Sequence, residues 1–91
     1  MTEPPIPKYS VEVAPAAERA LKKTPADVRK RIFKALLSLA DEPRPSGVKK
    51  LSGEENLYRI RTGDYRIVYQ IKHAVLMVLV VKVGHRRDIY R

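Results

Sequence analysis

The stretch from Ala74 to Val83 carries a single charge, Lys82, and constrains the fold of this 91-residue chain more than any other feature. Its uninterrupted apolar part, Ala74 to Val81, is far shorter than the roughly 20 residues needed to cross a bilayer. It is also more continuously apolar than a strand with one wet face would be. It therefore reads as a central strand covered on both faces, and the segments before it read as its cover. Leu57 to Arg61 alternates, Thr62-Gly63-Asp64 makes a turn, Tyr65 to Ile71 alternates again, and Lys72-His73 makes the next turn. Short turns between alternating segments predict an antiparallel meander of three strands.

The N-terminal half has a different period. Lys8 to Val13 alternates weakly and predicts a short first strand. Ala17, Ala20 and Leu21 then recur at helical spacing over Pro15 to Lys23, and Thr24-Pro25 opens a second helix. Thr24 is suited to cap that helix, Pro25 to occupy its first position, and Asp27 to place a favourable charge in its first turn. Val28, Ile32, Ala35, Leu36 and Leu39 form its apolar stripe, with Arg29, Lys30 and Lys34 on the solvated side. Pro43 and Pro45 end it near Ala40. The expected fold is α+β: an N-terminal strand, a helical hairpin, then the meander, with the helices packed on one face of the sheet. Residues 1–91 read as one domain.

Net charge narrows the partners. The chain carries 19 Lys/Arg against 10 Asp/Glu, a balance of +9. Residues 44–91 hold eleven basic and four acidic side chains, so most of the excess sits in the half that forms the sheet. Such a field concentrates polyanions and suits RNA, DNA, ribosomes or an acidic protein. There are no cysteines, which removes disulfides, thiolate metal sites and thiol nucleophiles together. His73 and His85 alone cannot assemble a zinc site, so no metal or other cofactor is expected. Met1 to Ser10 lacks the basic start and apolar stretch of a signal peptide, so a soluble protein of the cytoplasm, not a membrane protein, is expected.

Residues two apart on a strand share a face, so Arg59 and Arg61 point one way and Tyr58 and Ile60 the other. On the next strand Arg66, Val68 and Gln70 oppose Tyr65, Ile67, Tyr69 and Ile71. The apolar sets belong against the helices, which gathers Arg59, Arg61 and Arg66 on the outer face. Lys82 is costly to bury, so its parity is expected to face outward, bringing Arg86 into the cluster and leaving Leu76, Val78 and Val80 as an outward apolar strip for a partner to cover. Guanidinium groups bind phosphate oxygens bidentately, stay charged at physiological pH, and can stabilise charge that builds up on a phosphorane. The same arginines could instead form a ladder with Glu54, Glu55, Asp64 and Asp88. His85 is a candidate proton shuttle beside the cluster, because histidine changes charge near neutral pH. Tyr90 is a candidate general acid or stacking platform, and Lys49, Lys50 and Arg87 are candidates for RNA affinity without chemistry.

Three ordered runs carry a family resemblance: Val48-Lys-Lys-Leu-Ser-Gly53, Leu57-Tyr-Arg-Ile-Arg-Thr-Gly-Asp-Tyr-Arg-Ile-Val-Tyr69 and Val83-Gly-His-Arg-Arg-Asp-Ile-Tyr-Arg91. With these spacings the chain resembles the RelE branch of the RelE/ParE toxin superfamily over nearly its whole length. The resemblance implies a toxin of a type II toxin-antitoxin system that cuts mRNA in the ribosomal decoding site, using the substrate's 2'-hydroxyl as nucleophile and no metal. It also implies a RelB-like antitoxin as partner in a hetero-oligomeric complex. Arg59, Arg61, Arg66 and Arg86 match the family's catalytic basic residues, and Tyr90 its C-terminal tyrosine. Arginine stands at 59 and 61 where members often carry lysine, so charge stabilisation transfers while a general-base role does not, because arginine is a poor proton acceptor. Two other functions share the scaffold: a ParE-like inhibitor of DNA gyrase that cuts nothing, and a degenerate nuclease acting only as a corepressor.

Overall fold

The computed structural model describes residues 8–45, 48–51 and 56–85. Strand β1 (Ser10–Val13) leads into helix α1 (Pro15–Lys22) and helix α2 (Ala26–Asp41). Strands β2 (Lys49–Lys50), β3 (Leu57–Thr62), β4 (Tyr65–Lys72) and β5 (Met77–His85) follow, with a 3-10 turn at His73–Val75 before β5. The sheet runs β1-β5-β4-β3-β2; β1 lies parallel to β5 and the other pairs are antiparallel. α1 packs on β5, and α2 on β1 and β3. This is the expected α+β arrangement, with the N-terminal strand placed at one edge and one further strand, β2, added at the other.

Local chemistry explains most boundaries. Pro15 opens α1, where its missing N–H costs nothing. Gly63 adopts a φ of +60° in the two-residue turn between β3 and β4, a conformation natural to glycine. Thr24 does not cap α2 as expected: Pro25 occupies the N-cap position without a side-chain bond, and the Thr24 hydroxyl donates instead to the Ala20 carbonyl at 2.8 Å. Thr24 thus closes α1 and leaves α2 to begin on a proline. The central strand starts later than expected, at Met77, because Ala74 and Val75 belong to the 3-10 turn and Leu76 takes a φ of +50°.

The helices cover one sheet face. Ala17 and Leu21 of α1 and Ile32, Leu36 and Leu39 of α2 meet Tyr58 and Ile60 of β3, Ile67, Tyr69 and Ile71 of β4, and Val78, Val80 and Val83 of β5. Val78 and Val80 are fully buried, which overturns the expected outward strip of Leu76, Val78 and Val80. The cause is a β-bulge. Val68 pairs with Lys82 and Tyr69 with Val80, so Val81 is an extra residue on β5. One extra residue reverses side-chain parity. Lys82 does face outward, but its parity holds only on its own side of Val81.

Tyr69 ties the core to the loop after α2. Its ring stacks with that of Tyr58 at 5.9 Å, and its hydroxyl donates to the Pro43 carbonyl. Burial pushes the Tyr69 phenol well above the usual tyrosine range, with the neighbouring Tyr58 and Glu42 adding to the shift. A phenol raised in the folded state keeps its proton when the unfolded chain has lost it, so stability is fully present below a pH of about 10 and falls as pH rises beyond that. Alkaline denaturation of the wild type should therefore steepen above about pH 10. Tyr69→Phe, lacking the ionisation, should lose that steepening while giving up about 1 kcal/mol at neutral pH with the hydroxyl bond. Chemical denaturation of both proteins across pH 7 to about 11 checks it.

Candidate functional site: a basic open sheet face

Opposite the helices, pairing register sets the order of outward side chains. Lys49, Arg59, Val68 and Lys82 form one row across β2, β3, β4 and β5. Arg61, Arg66 and Gly84 form the next row toward the β3–β4 turn. Residues directly opposed across an antiparallel pair bring their Cβ atoms to about 5 Å, so Arg61 and Arg66 can address one phosphate together. Val68 is 9% exposed between Arg59 and Lys82, where aliphatic stems of basic residues cover an apolar floor while their heads stay in solvent.

The members differ in exposure. Arg61 is exposed and Arg59 is half-buried. Arg66 is half-buried as well, and its Nε and Nη1 atoms are almost wholly shielded from solvent. A shielded guanidinium has less rotamer freedom to lose on binding, and its charge acts through a lower effective dielectric. Beside it Gly84 carries no side chain, and a Cβ placed there would meet nothing within 4 Å. Among the described residues, the floor next to Arg66 is open.

The structure sorts the expected site residues into three groups. Arg59, Arg61, Arg66 and Lys49 share the outer face; Lys50, at the next position of edge strand β2, has the opposite parity. His85 does not join them. It pairs in register with Tyr65, on the side of Val83 and the core, and its ring meets the Tyr65 ring edge to face at 5.6 Å. A proton shuttle beside the arginines therefore has no geometric basis in His85: beyond the bulge β5 alternates regularly, so Lys82 and Gly84 face outward and Val83 and His85 face the helix side. Arg86, Arg87 and Tyr90 lie outside the described residues. Lys82, read from the sequence only as a marker of parity, closes the first row next to Val68. Along β5 the half-buried Met77 and Leu79 supply the apolar part of the outer face in place of Val78 and Val80.

The elements define a small α+β protein with a helix-backed sheet and a basic outer face, and similarity to known proteins narrows that class. A family model described as ParE toxin of type II toxin-antitoxin system, parDE, matches residues 11–90. The chain is 38% identical over 74 residues to the mRNA interferase toxin RelE of Escherichia coli, covering 76% of this chain and 77% of that one. It is 31% identical over 84 residues to the toxin RelG of Mycobacterium tuberculosis, covering 91% and 97%. Among solved structures, the archaeal RelE-RelB complex from Pyrococcus horikoshii superposes with a TM-score of 0.79 at 29% identity, over 89% of this chain and 98% of that one. The chain belongs to the ParE toxin family of type II toxin-antitoxin systems, as a RelE-type toxin.

Proposed function

We propose that this toxin is a ribosome-dependent mRNA endonuclease whose arginine face stabilises the cleavage transition state without a metal. The observation that carries the reading is Arg66, partly shielded and directly opposed by Arg61, with Arg59 and Lys82 in the adjoining row. The substrate's 2'-oxygen attacks the adjacent phosphorus, the bond to the 5'-oxygen breaks, and the products are a 2',3'-cyclic phosphate and a 5'-hydroxyl. The 2'-hydroxyl proton leaves as that bond forms, and the 5'-oxygen gains one as it departs. Negative charge peaks on the non-bridging oxygens in between, where fixed guanidinium donors contribute most. Arginine at 59 and 61 can do this electrostatic work but does not accept the proton.

The interferase name of the Escherichia coli relative supports this reading, at 38% identity. The partner we propose is a RelB-like antitoxin, as in the complex of the Pyrococcus horikoshii neighbour. The basic rows and the half-buried Met77 and Leu79 offer it a face that is both charged and apolar. The competing reading, inhibition of DNA gyrase, has the family model's parDE description in its favour.

Ribosomes programmed with a defined mRNA separate the two. The toxin should cut the A-site codon and leave cyclic-phosphate and 5'-hydroxyl ends. Replacing a non-bridging oxygen of the scissile phosphate by sulfur should slow cleavage equally in Mg2+ and Mn2+. Rescue of the sulfur substrate by Mn2+, or a 5'-phosphate end, would show a metal-assisted hydrolysis instead. Intact mRNA together with blocked gyrase supercoiling would establish the competing reading.

A further inference from the structure

Two shallow hollows of about 260 and 310 Å3 open at the end of the sheet on its helix side, and Tyr65 and His85 line both. Thr62, Tyr65 and His85 lie in register across β3, β4 and β5. The Tyr65 and His85 rings stand nearly perpendicular, at 82°. Lys23, where α1 gives way to α2, lines the first hollow; Arg31 of α2 and Asp64 line the second. Lys23, Arg31 and Asp64 are all exposed. Two aromatic rings, two cations and one carboxylate therefore converge on the sheet face opposite the arginine rows.

We propose that this end of the molecule holds one nucleotide of single-stranded RNA flanking the cleaved linkage, its base against Tyr65 and His85 and its phosphate between Lys23 and Arg31. The proposal rests on the RNA-cleaving reading of the outer face. Aromatic rings accept any base through its π-face, so such a site adds affinity with little sequence preference. Two cations offset by one carboxylate match a single phosphate, where a wholly basic patch would hold several. The path between the two sites is short. Arg61 precedes Thr62, Arg66 follows Tyr65 and Gly84 precedes His85, so the two sets lie one strand step apart, roughly 3.3 Å along the sheet. Among the described residues, only the exposed two-residue turn at Gly63 and Asp64 separates them at this end. An RNA strand passing over that turn reaches both faces.

The test uses a fluorescent, fully 2'-O-methylated hexanucleotide, which the toxin cannot cut, and adenosine monophosphate as the minimal probe. Replacing both exposed cations, Lys23→Gln with Arg31→Gln, should weaken hexanucleotide binding by about tenfold and lower the slope of log affinity against log salt by about 0.7, the value for one phosphate. His85→Leu, which keeps both cations, should weaken binding by about fivefold or more with the salt slope unchanged. Adenosine monophosphate should shift the backbone amide signals of Tyr65, His85 and Lys23. Unchanged affinity and salt slope in the double variant, or shifts confined to Arg59, Arg61 and Arg66, would overturn the site. Cleavage on programmed ribosomes is scored separately. Loss of cleavage with nucleotide binding intact at Tyr65 and His85 removes the nuclease reading alone; normal cleavage with no response in the hollows removes this site alone.

Discussion

Arg66→Ala should lower mRNA cleavage on programmed ribosomes by about a hundredfold or more, and Arg61→Ala by a comparable factor. Each removes a fixed donor from the phosphorane oxygens, and such donors contribute on the order of 2 to 4 kcal/mol at the transition state. The two variants should differ in stability. Arg61 is exposed, so its truncation should leave the melting temperature almost unchanged. Arg66 has its Nε and Nη1 shielded from solvent, so its loss also uncovers packed surface and should lower Tm by a few degrees. Arg66→Lys separates charge from geometry. It keeps the cation but not the planar fork, and should recover part of the stability and little of the rate. The same loss of rate is expected for Arg86→Ala. Single-turnover cleavage measured beside thermal melts decides the matter, and full activity in both Arg61→Ala and Arg66→Ala would remove the arginine face from the mechanism.

Deletion of Val68 is expected to be far more damaging than deletion of Val81, although each removes one valine from a neighbouring strand. Val68 is paired on both sides, with Arg59 and with Lys82. Without it β4 loses its alternation: Tyr69 and Ile71 stay in the core only if Ile67 turns outward, and Ile67 stays only if Tyr69 and Ile71 turn outward. Either choice exposes fully buried side chains, at a cost of several kcal/mol, comparable with the whole stability of a small domain. The Val68 deletion variant should be insoluble or unfolded by circular dichroism. Val81, by contrast, is the extra residue of the bulge, so its removal joins the Tyr69–Val80 and Val68–Lys82 pairs into one regular ladder and keeps Val78, Val80 and Val83 inward and Lys82 outward. The Val81 deletion variant should fold cooperatively, and Val81→Ala should cost about 1 kcal/mol or less, because Val81 is only half-buried. Loss of folding on deleting Val81 would show that the sheet depends on the bulge itself.

The same residue explains why the outer face was only partly legible in the sequence. In β3 and β4 the polar and apolar sets alternate without interruption, so Arg59, Arg61 and Arg66 could be placed together from spacing alone, and the register bears this out. In β5 nearly every residue is apolar, so the pattern carries no mark of the position where parity changes. Reading outward from Lys82 gave the right face for Lys82 and the wrong one for Val78 and Val80. His85 is near the arginines in sequence but does not share their face, and alternation counted from Lys82 already puts it on the opposite one. The parallel pairing of β1 with β5 is equally silent, since four weakly alternating residues name no neighbour. Thr24 was assigned to the wrong helix: a hydroxyl between two helices can serve either end, and the choice depends on backbone geometry that Pro25 fixes.

That β1–β5 pairing has a consequence for the order of events during synthesis. Ser10 to Val13 finds its strand neighbour only at Met77 to Val80, so the sheet closes through a contact between distant parts of the chain. Long-range pairing of this kind is slow, and it cannot begin before the later segment exists. While translation continues, the helical hairpin can form, but the valines it must cover have not yet been made. Until β5 is complete, the apolar face of that hairpin lacks Val78, Val80 and Val83, its partners on the central strand. The arginines behave differently: Arg59, Arg61 and Arg66 stand on the β3–β4 hairpin and can be paired locally, whereas Lys82 joins their rows only with β5. The strand order thus lets the basic face form from local pairing while the core behind it waits for the end of the chain.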